Sequence, residues 1–419
     1  MISLTEAQAF VLAWCSPLAP LPMPLDEALG CVAAEIVRAS EPVPPFANSS
    51  MDGYAVRAVD TAGASASSAI RLRVVGTVLA GSTGDFPIGT GQAVRIMTGA
   101  PLPDCADAVV MQEVCRTDDD GAVVVLDAPV GAEAFVRTVG QDVAVGTTVV
   151  AAGTEFSPGH LGSLANQGLA EVWAYPRLRV GVLSTGDELV PAGTPLARGQ
   201  IRDANRHSLL ALVRQQGWVP IDLGTVGDDP GAISRALDGA DTMCDAVVTS
   251  GGVSVGEADV VKTVLRERCG GSMRWMQVAV RPAKPFAFGL LGGSGTPVFG
   301  LPGNPVSAMV SFELFVRPAV RRMGGHSDLY RLTVPATADG DLLRRPDGKT
   351  HFVRSVLSVD ATGGWRVRPL DGQGSHQLST MAEANALAVV IDGDGVASGG
   401  TVPVLVVAPD RLHWAGGPA

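Results

Sequence analysis

From Arg177 onward the sequence alternates short apolar runs with segments of helical period, and this alternation constrains the fold more than anything else in the chain. The runs at 178–183, 219–226, 246–249 and 298–301 have strand length, and helices fit at 205–216, 230–239, 259–268 and 305–322. Strands that alternate with helices form a parallel sheet covered on both faces, so residues 177–326 are expected to be an α/β unit. One stretch tests that expectation. Residues 286–312 carry no charge over 27 positions, more than the roughly 20 that cross a bilayer. Six glycines and three prolines interrupt it, and a lipid-exposed backbone so broken could not satisfy its own hydrogen bonds. It reads as buried strands and turns.

The flanking regions follow another pattern. Ser3 with Glu6 three residues later is a capping-box signal for a first helix, and a second helix is expected from Asp26 to Arg38. Three prolines within residues 42–50 mark an extended linker. Short strands at 71–78, 93–97, 108–113 and 123–126, separated by Gly, Pro and Asp turns, make residues 46–142 a small β domain. Ser157 ahead of Pro158 starts another helix, and residues 143–176 are expected to join residues 1–45 as a helical linker domain that the β domain interrupts. After His326 strands dominate again, at 330–335, 351–359, 365–369, 386–391 and 402–407, so residues 327–419 read as a C-terminal β domain.

Composition narrows the function. Charged residues are 17% of the chain, against a usual share of roughly 25%, which points to packed interior rather than solvated tail. Lys plus Arg number 31 and Asp plus Glu 42, a net charge of −11, which argues against a general nucleic-acid or anionic-membrane partner. The six cysteines show no C-x-x-C and read as small core residues in a reducing compartment. Glu6 breaks any leading apolar run, so no signal peptide is read and the cytoplasm is expected. There is no H-E-x-x-H, no P-loop and no G-x-S-x-G elbow.

Chemistry is expected outside the carboxyl ends of the sheet strands. There the chain places STGDE (184–188), GDD (227–229), TSGGVSVGEAD (249–259) and PGNPVSA (302–308). Ser250, Gly251, Gly252, Gly303 and Asn304 let backbone amides approach an anion, which makes phosphate recognition the natural reading. Acids stand on the same edge, and carboxylates facing phosphate call for Mg²⁺ between them. Asp187 and Asp229 could each simply cap a helix, whereas Glu188, Asp228 and Asp259 converge from three loops. Arg281 and Lys284, in a region otherwise bare of charge, suit a second oxyanion. Thr98, Arg137 and Asp142 sit in turn-rich contexts, and Asp52 in MDGYA could be only a turn. Local chemistry leaves Arg354 in HFVRSV and Ser375 in GQGSH ambiguous.

Taken in order, PPFANSSMDGYA, RIMTGAPLP, STGDEL, SGGVSVGEAD, RPAKPFAFG, FGLPGNPVSA and QGSHQLSTMAEAN resemble the molybdopterin molybdenumtransferases, the MoeA family that includes the E domain of gephyrin. The segments span residues 44–385. The resemblance implies a multidomain α/β plus β fold: a helical linker domain, an inserted small β domain, a central parallel-sheet α/β domain that binds molybdopterin, and a C-terminal β-barrel-like domain. It implies a homodimer whose active cleft is shared between subunits. It also implies a transferase that inserts molybdenum from molybdate into adenylylated molybdopterin and releases AMP, with Mg²⁺ as cofactor.

Matched position by position, Asp52, Asp142, Glu188, Asp228 and Asp259 take the catalytic places, and the last three would hold the metal. Thr98 and Arg137 fall with the substrate-binding group, while Arg281, Pro282, Lys284, Arg354 and Ser375 match the part associated with molybdate and the terminal phosphate. The family's Lys-Pro-Gly-Lys-Pro is Arg281-Pro282-Ala283-Lys284-Pro285 here, and an arginine keeps the charge but cannot transfer a proton. Contacts with the molybdopterin adenylyltransferase and with cofactor-accepting enzymes are expected. A non-catalytic scaffold of the same fold and a nucleotide pyrophosphatase are the rival readings.

Overall fold

The computed structural model describes residues 1–252 and 260–414. They fall into two compact units, one of Met1–Leu21, Gly30–Ala34 and the chain from Trp173 onward, the other of Pro22–Leu29 and Glu35–Val172.

The first unit is built on a six-stranded sheet in the order Val219–Val226, Arg179–Thr185, Ala246–Ser250, Pro297–Leu301, Pro285–Leu290 and Arg274–Gln277. The first four strands are parallel, as the alternation requires; the helices Ala204–Gln215 and Pro230–Met243 connect three of them, and Val260–Cys269 leads on to Arg274–Gln277. Pro285–Leu290 runs antiparallel to both of its neighbours, so the sheet is mixed rather than wholly parallel. The reason lies in the charge-free stretch. Residues 285–301 fold back on themselves as a hairpin, and a short connection can join only antiparallel neighbours.

The helix expected at 305–322 begins at Pro305 but is not uniform. It runs α-helical over Pro305–Ser311, widens to a π-turn over Phe312–Val316 and resumes over Arg317–Met323. Pro318 has no N–H for the Leu314 carbonyl four residues earlier. That carbonyl accepts instead from Gln8 Nε2 at 2.9 Å. Gln8 belongs to the first helix, Leu4–Trp14, whose capping box forms with Glu6 N donating to Ser3 Oγ at 3.1 Å and Ser3 N donating to Glu6 at 2.7 Å. Ala7 and Val11 of that helix join one core with Phe286, Phe288, Phe299 and Phe315, in which Phe286 stacks on Phe315 with ring centroids 4.2 Å apart.

Past residue 326 the chain closes a five-stranded barrel from Thr350–Val359, Trp365–Pro369, Thr333–Ala338, Thr401–Val406 and Ala386–Val390, the last strand pairing back to the first. Phe352, Leu387 and Leu405 of the barrel belong to the same core as the sheet. The strand Val280–Arg281 pairs in parallel with the start of Thr350–Val359, bringing Arg281 opposite His351.

The second unit holds a six-stranded sheet in the order Ala108–Met111, Gly53–Val56, Gln92–Ile96, Ile70–Val78, Val123–Leu126 and Arg116–Asp118. Gly53 is required there, because an added Cβ would lie 1.9 Å from the Val110 carbonyl oxygen. The helix Pro158–Asn166 forms behind its Ser157 cap. The helix expected from Asp26 to Arg38 does not. A single 3₁₀ turn at Leu25–Glu27 is followed by Gly30 at φ +75°, and Val37–Arg38 pairs as a strand with Thr148–Val150. Periodicity pointed to helix, but a left-handed glycine stops it and the β-branched residues after it suit a strand.

Four of the six cysteines, Cys15, Cys31, Cys244 and Cys269, are buried, in keeping with a core role. Burial pushes the Cys15 and Cys269 thiols up to about 12. Among the described residues no helix is long and apolar enough to cross a membrane.

Candidate active site

The central strands Arg179–Thr185 and Ala246–Ser250 pair in parallel with Ser184 opposite Ser250, and the chain leaves the sheet to opposite sides after them. A crevice at such a switch point is where an open α/β sheet takes its ligand. A cavity of about 320 Å³ lies there, lined by Thr185, Glu188, Asp203, Asn205, Ser250, Gly251, Gly303, Asn304 and His376. Its floor is backbone. Gly251 adopts φ +102°, and a Cβ would come within 2.8 Å of the Thr185 carbonyl oxygen.

Two residues absent from the sequence reading hold this floor. Asn205 Nδ2 donates to Ser250 Oγ and to the Gly303 carbonyl, each at 2.7 Å, and so joins the two glycine loops. Asp203, 2% exposed, accepts from Ser184 Oγ at 3.0 Å, Thr225 Oγ1 at 2.7 Å and Arg206 Nε at 3.2 Å, tying two strand ends to one helix start. A buried carboxylate is tolerable only with such partners. The sequence signal was slight, an Asp-Ala-Asn at a helix start.

The acids divide. Glu188 lines the cavity. Asp229 caps Pro230–Met243 by accepting from Ala232 N at 2.6 Å, the structural role open to it, whereas Asp187 accepts from Asp228 N at 2.9 Å in the loop ahead of that cap. Asp228 is exposed on the same loop and is not among the cavity's lining residues. Asp259 lies outside the described residues. Among the described residues no three His, Cys, Asp or Glu groups come together to hold a metal ion.

A second cavity, of about 350 Å³, adjoins the first through Asn304, which lines both. Arg281, Pro282, Ala283, Lys284, Ser307, Lys349, Gln373, Gly374 and Ser375 complete its main walls. Arg281, Pro282, Lys284 and Ser375 were expected together and are together; Ser307 and Lys349 are additions. Val306 N donates to the Ser375 carbonyl at 3.1 Å, holding the loop of Ser375 and His376 over the helix start. Ala283 is held at φ +76°, the left-handed region, which explains why a glycine suits this position. An alanine there bears about 1 kcal/mol of backbone strain.

Arg354 is placed differently. It is 1% exposed, and its guanidinium donates to the Gly372 and Gly374 carbonyls at 2.7 and 3.1 Å, supporting the loop from behind rather than lining the cavity. Burial draws its pKa below the usual arginine value.

The remaining expected residues lie in the other compact unit. Asp52 Oδ1 accepts from both Thr98 N and Thr98 Oγ1 at 2.7 Å, which holds its carboxyl below the ordinary range. Arg137 stands on the strand Val136–Arg137, antiparallel to Asn48–Ser49, and Asp142 N donates to the Val43 carbonyl at 2.9 Å.

Family models match nearly the whole chain: the MoeA N-terminal region (domains I and II) over residues 2–168, a probable molybdopterin-binding domain over 181–322, and the MoeA C-terminal region (domain IV) over 340–407. The molybdopterin molybdenumtransferase of Haemophilus influenzae is 38% identical over 384 residues, 91% of this chain and 92% of that protein. Molybdopterin molybdenumtransferase 2 of Mycobacterium tuberculosis is 39% identical over 391 residues, 92% of this chain and 95% of that one. A solved molybdopterin biosynthesis MoeA protein from Pyrococcus horikoshii superposes with a TM-score of 0.79 at 28% identity, covering 97% of this chain and 100% of its own. With family models along most of its length and relatives 38–39% identical over more than nine tenths of it, the chain belongs to the molybdopterin molybdenumtransferase family.

Proposed function

We propose that this protein inserts molybdenum, delivered as molybdate, into adenylylated molybdopterin and releases AMP. The observation that carries the reading is the pair of adjoining cavities. One is floored by backbone and small polar groups at the strand ends, as a phosphate-bearing substrate requires. The other gathers Arg281, Lys284 and Lys349 and, among the described residues, has no carboxylate in its lining, as an oxyanion requires. Their shared wall at Asn304 would put the two substrates side by side, replacing an encounter in solution by positioning.

In this reading the two sulfurs of the pterin dithiolene bond molybdenum as one molybdate oxygen leaves with their protons as water, and a further water cleaves the phosphoanhydride to free AMP, so the protein supplies orientation and charge. Arg281 and Lys284 hold molybdate, Arg354 fixes the loop that presents Ser375, and Asn205 keeps the Ser250 and Gly303 loops at one spacing. The Mg²⁺ that the family resemblance implies is part of this proposal: Glu188 in the cavity would help hold it, and its charge would offset the diphosphate. The family's homodimer belongs to the same proposal.

Purified protein loaded with adenylylated molybdopterin is expected to release AMP only when molybdate is added, measured by chromatography of the nucleotide. Release at the same rate without molybdate would make the protein a pyrophosphatase. Binding with no release under either condition would make it a scaffold.

A further inference from the structure

Lys349 is assigned no role by the sequence motifs, yet the fold builds it into the cationic cavity. Thr350 N donates to the Ala279 carbonyl at 2.9 Å, and the parallel register that follows sets Val280 against Thr350 and Arg281 against His351. Two strands paired in this way bring the backbone of Lys349 alongside Ala279, two residues before Arg281. The Lys349 side chain is 21% exposed and lines the cavity shared by Arg281, Lys284, Ser307 and Ser375.

Its counter-ion is Asp347. Asp347 Oδ2 meets Lys349 Nζ at 2.9 Å and His351 Nε2 at 3.2 Å, and Arg344 holds the same carboxylate. Asp347 lines a neighbouring cavity of about 550 Å³ that shares Arg281, Pro282 and Gln373 with the cationic one, and it is not among the residues lining the one that contains Lys284 and Ser375. The lysine thus has a carboxylate anchor outside the lining of a cavity in which, among the described residues, no acid stands. Its three mobile donors suit a tetrahedral oxyanion, which accepts hydrogen bonds in every direction.

We propose that Lys349 is an oxyanion-binding residue, the third cation holding molybdate together with Arg281 and Lys284. The proposal rests on the reading of this cavity as the molybdate pocket, and its test separates the two.

Molybdate binding to the full-length protein, without the pterin, is measured by isothermal titration for the wild type, Lys349→Gln, Lys349→Arg and Lys284→Gln, with thermal melts of each. Losing a charge-assisted bond should weaken binding by about tenfold or more in Lys349→Gln. The melting temperature should hold, and Lys349→Arg should restore most of the affinity. Wild-type affinity in Lys349→Gln, with Lys284→Gln weakened, would overturn the role of Lys349 and leave the pocket standing. So would a Lys349→Arg protein that folds normally yet binds as poorly as Lys349→Gln. A wild type that fails to bind molybdate would overturn the pocket itself, and the proposal with it.

Discussion

Gly251 occupies a position where any side chain must collide. Its φ of +102° is left-handed, and a Cβ would meet Thr185 O at 2.8 Å and Thr185 Oγ1 at 2.9 Å, a backbone contact that cannot swing away. Gly251→Ala is therefore expected to cost about 1–3 kcal/mol in urea unfolding, and to reduce AMP release further by lifting the Ser250 loop from its partner Asn205. Unchanged stability and turnover would show that the loop tolerates a different path. Gly251 was legible in the sequence, since a Gly-Gly pair directly after an apolar run is a strand-end signal. Asp203, Asn205 and Lys349 were not legible, because their partners lie far along the chain. Nothing local to Asn205 announces Gly303, and nothing local to Lys349 announces Arg281. The same limit explains Arg354: a sequence shows a cation but not that its guanidinium turns inward to the Gly372 and Gly374 carbonyls.

At the level of elements, the long helix after Asn304 depends on a residue from the first helix. Pro318 leaves the Leu314 carbonyl without its helical donor, and Gln8 fills the gap at 2.9 Å. Gln8→Leu keeps the side-chain size but leaves that carbonyl unmet, a loss of about 1–3 kcal/mol of unfolding free energy expected from chemical denaturation. A change well below that range would mean that water reaches Leu314. Strand bounds match the expectation at Val219–Val226 and Trp365–Pro369, whereas the strand expected at 330–335 lies at Thr333–Ala338 and continues past Pro335. The segment from Asp26 to Arg38 failed because its apolar spacing fits a helix, while its actual partner, Thr148–Val150, is remote.

For the whole molecule, the division into two compact units has an observable consequence. The hydrophobic clusters of residues 54–126 are separate from the core that joins the first helix, the α/β sheet and the barrel. All six tryptophans, at 14, 173, 218, 275, 365 and 414, belong to the unit that contains that larger core. Tryptophan fluorescence therefore reports one unit, while far-ultraviolet circular dichroism reports both. In urea the two signals are expected to give different midpoints, as separate cores unfold separately. Coincident curves would show a single cooperative block.

The sequence by itself determined the α/β alternation after Arg177, the strand-rich C-terminal region, the strand ends that carry the glycine and acid loops, and the nearness of Arg281 to Lys284, because these follow from local period and turn chemistry. Only the tertiary structure decided which side chains face the cavities. Asp229 became a helix cap, Asp187 a tie to the Asp228 amide, Arg354 a support behind its loop, and Asn304 a wall common to two compartments. A side chain's role depends on which distant backbone groups and charges surround it, and that neighbourhood exists only once the chain has closed on itself.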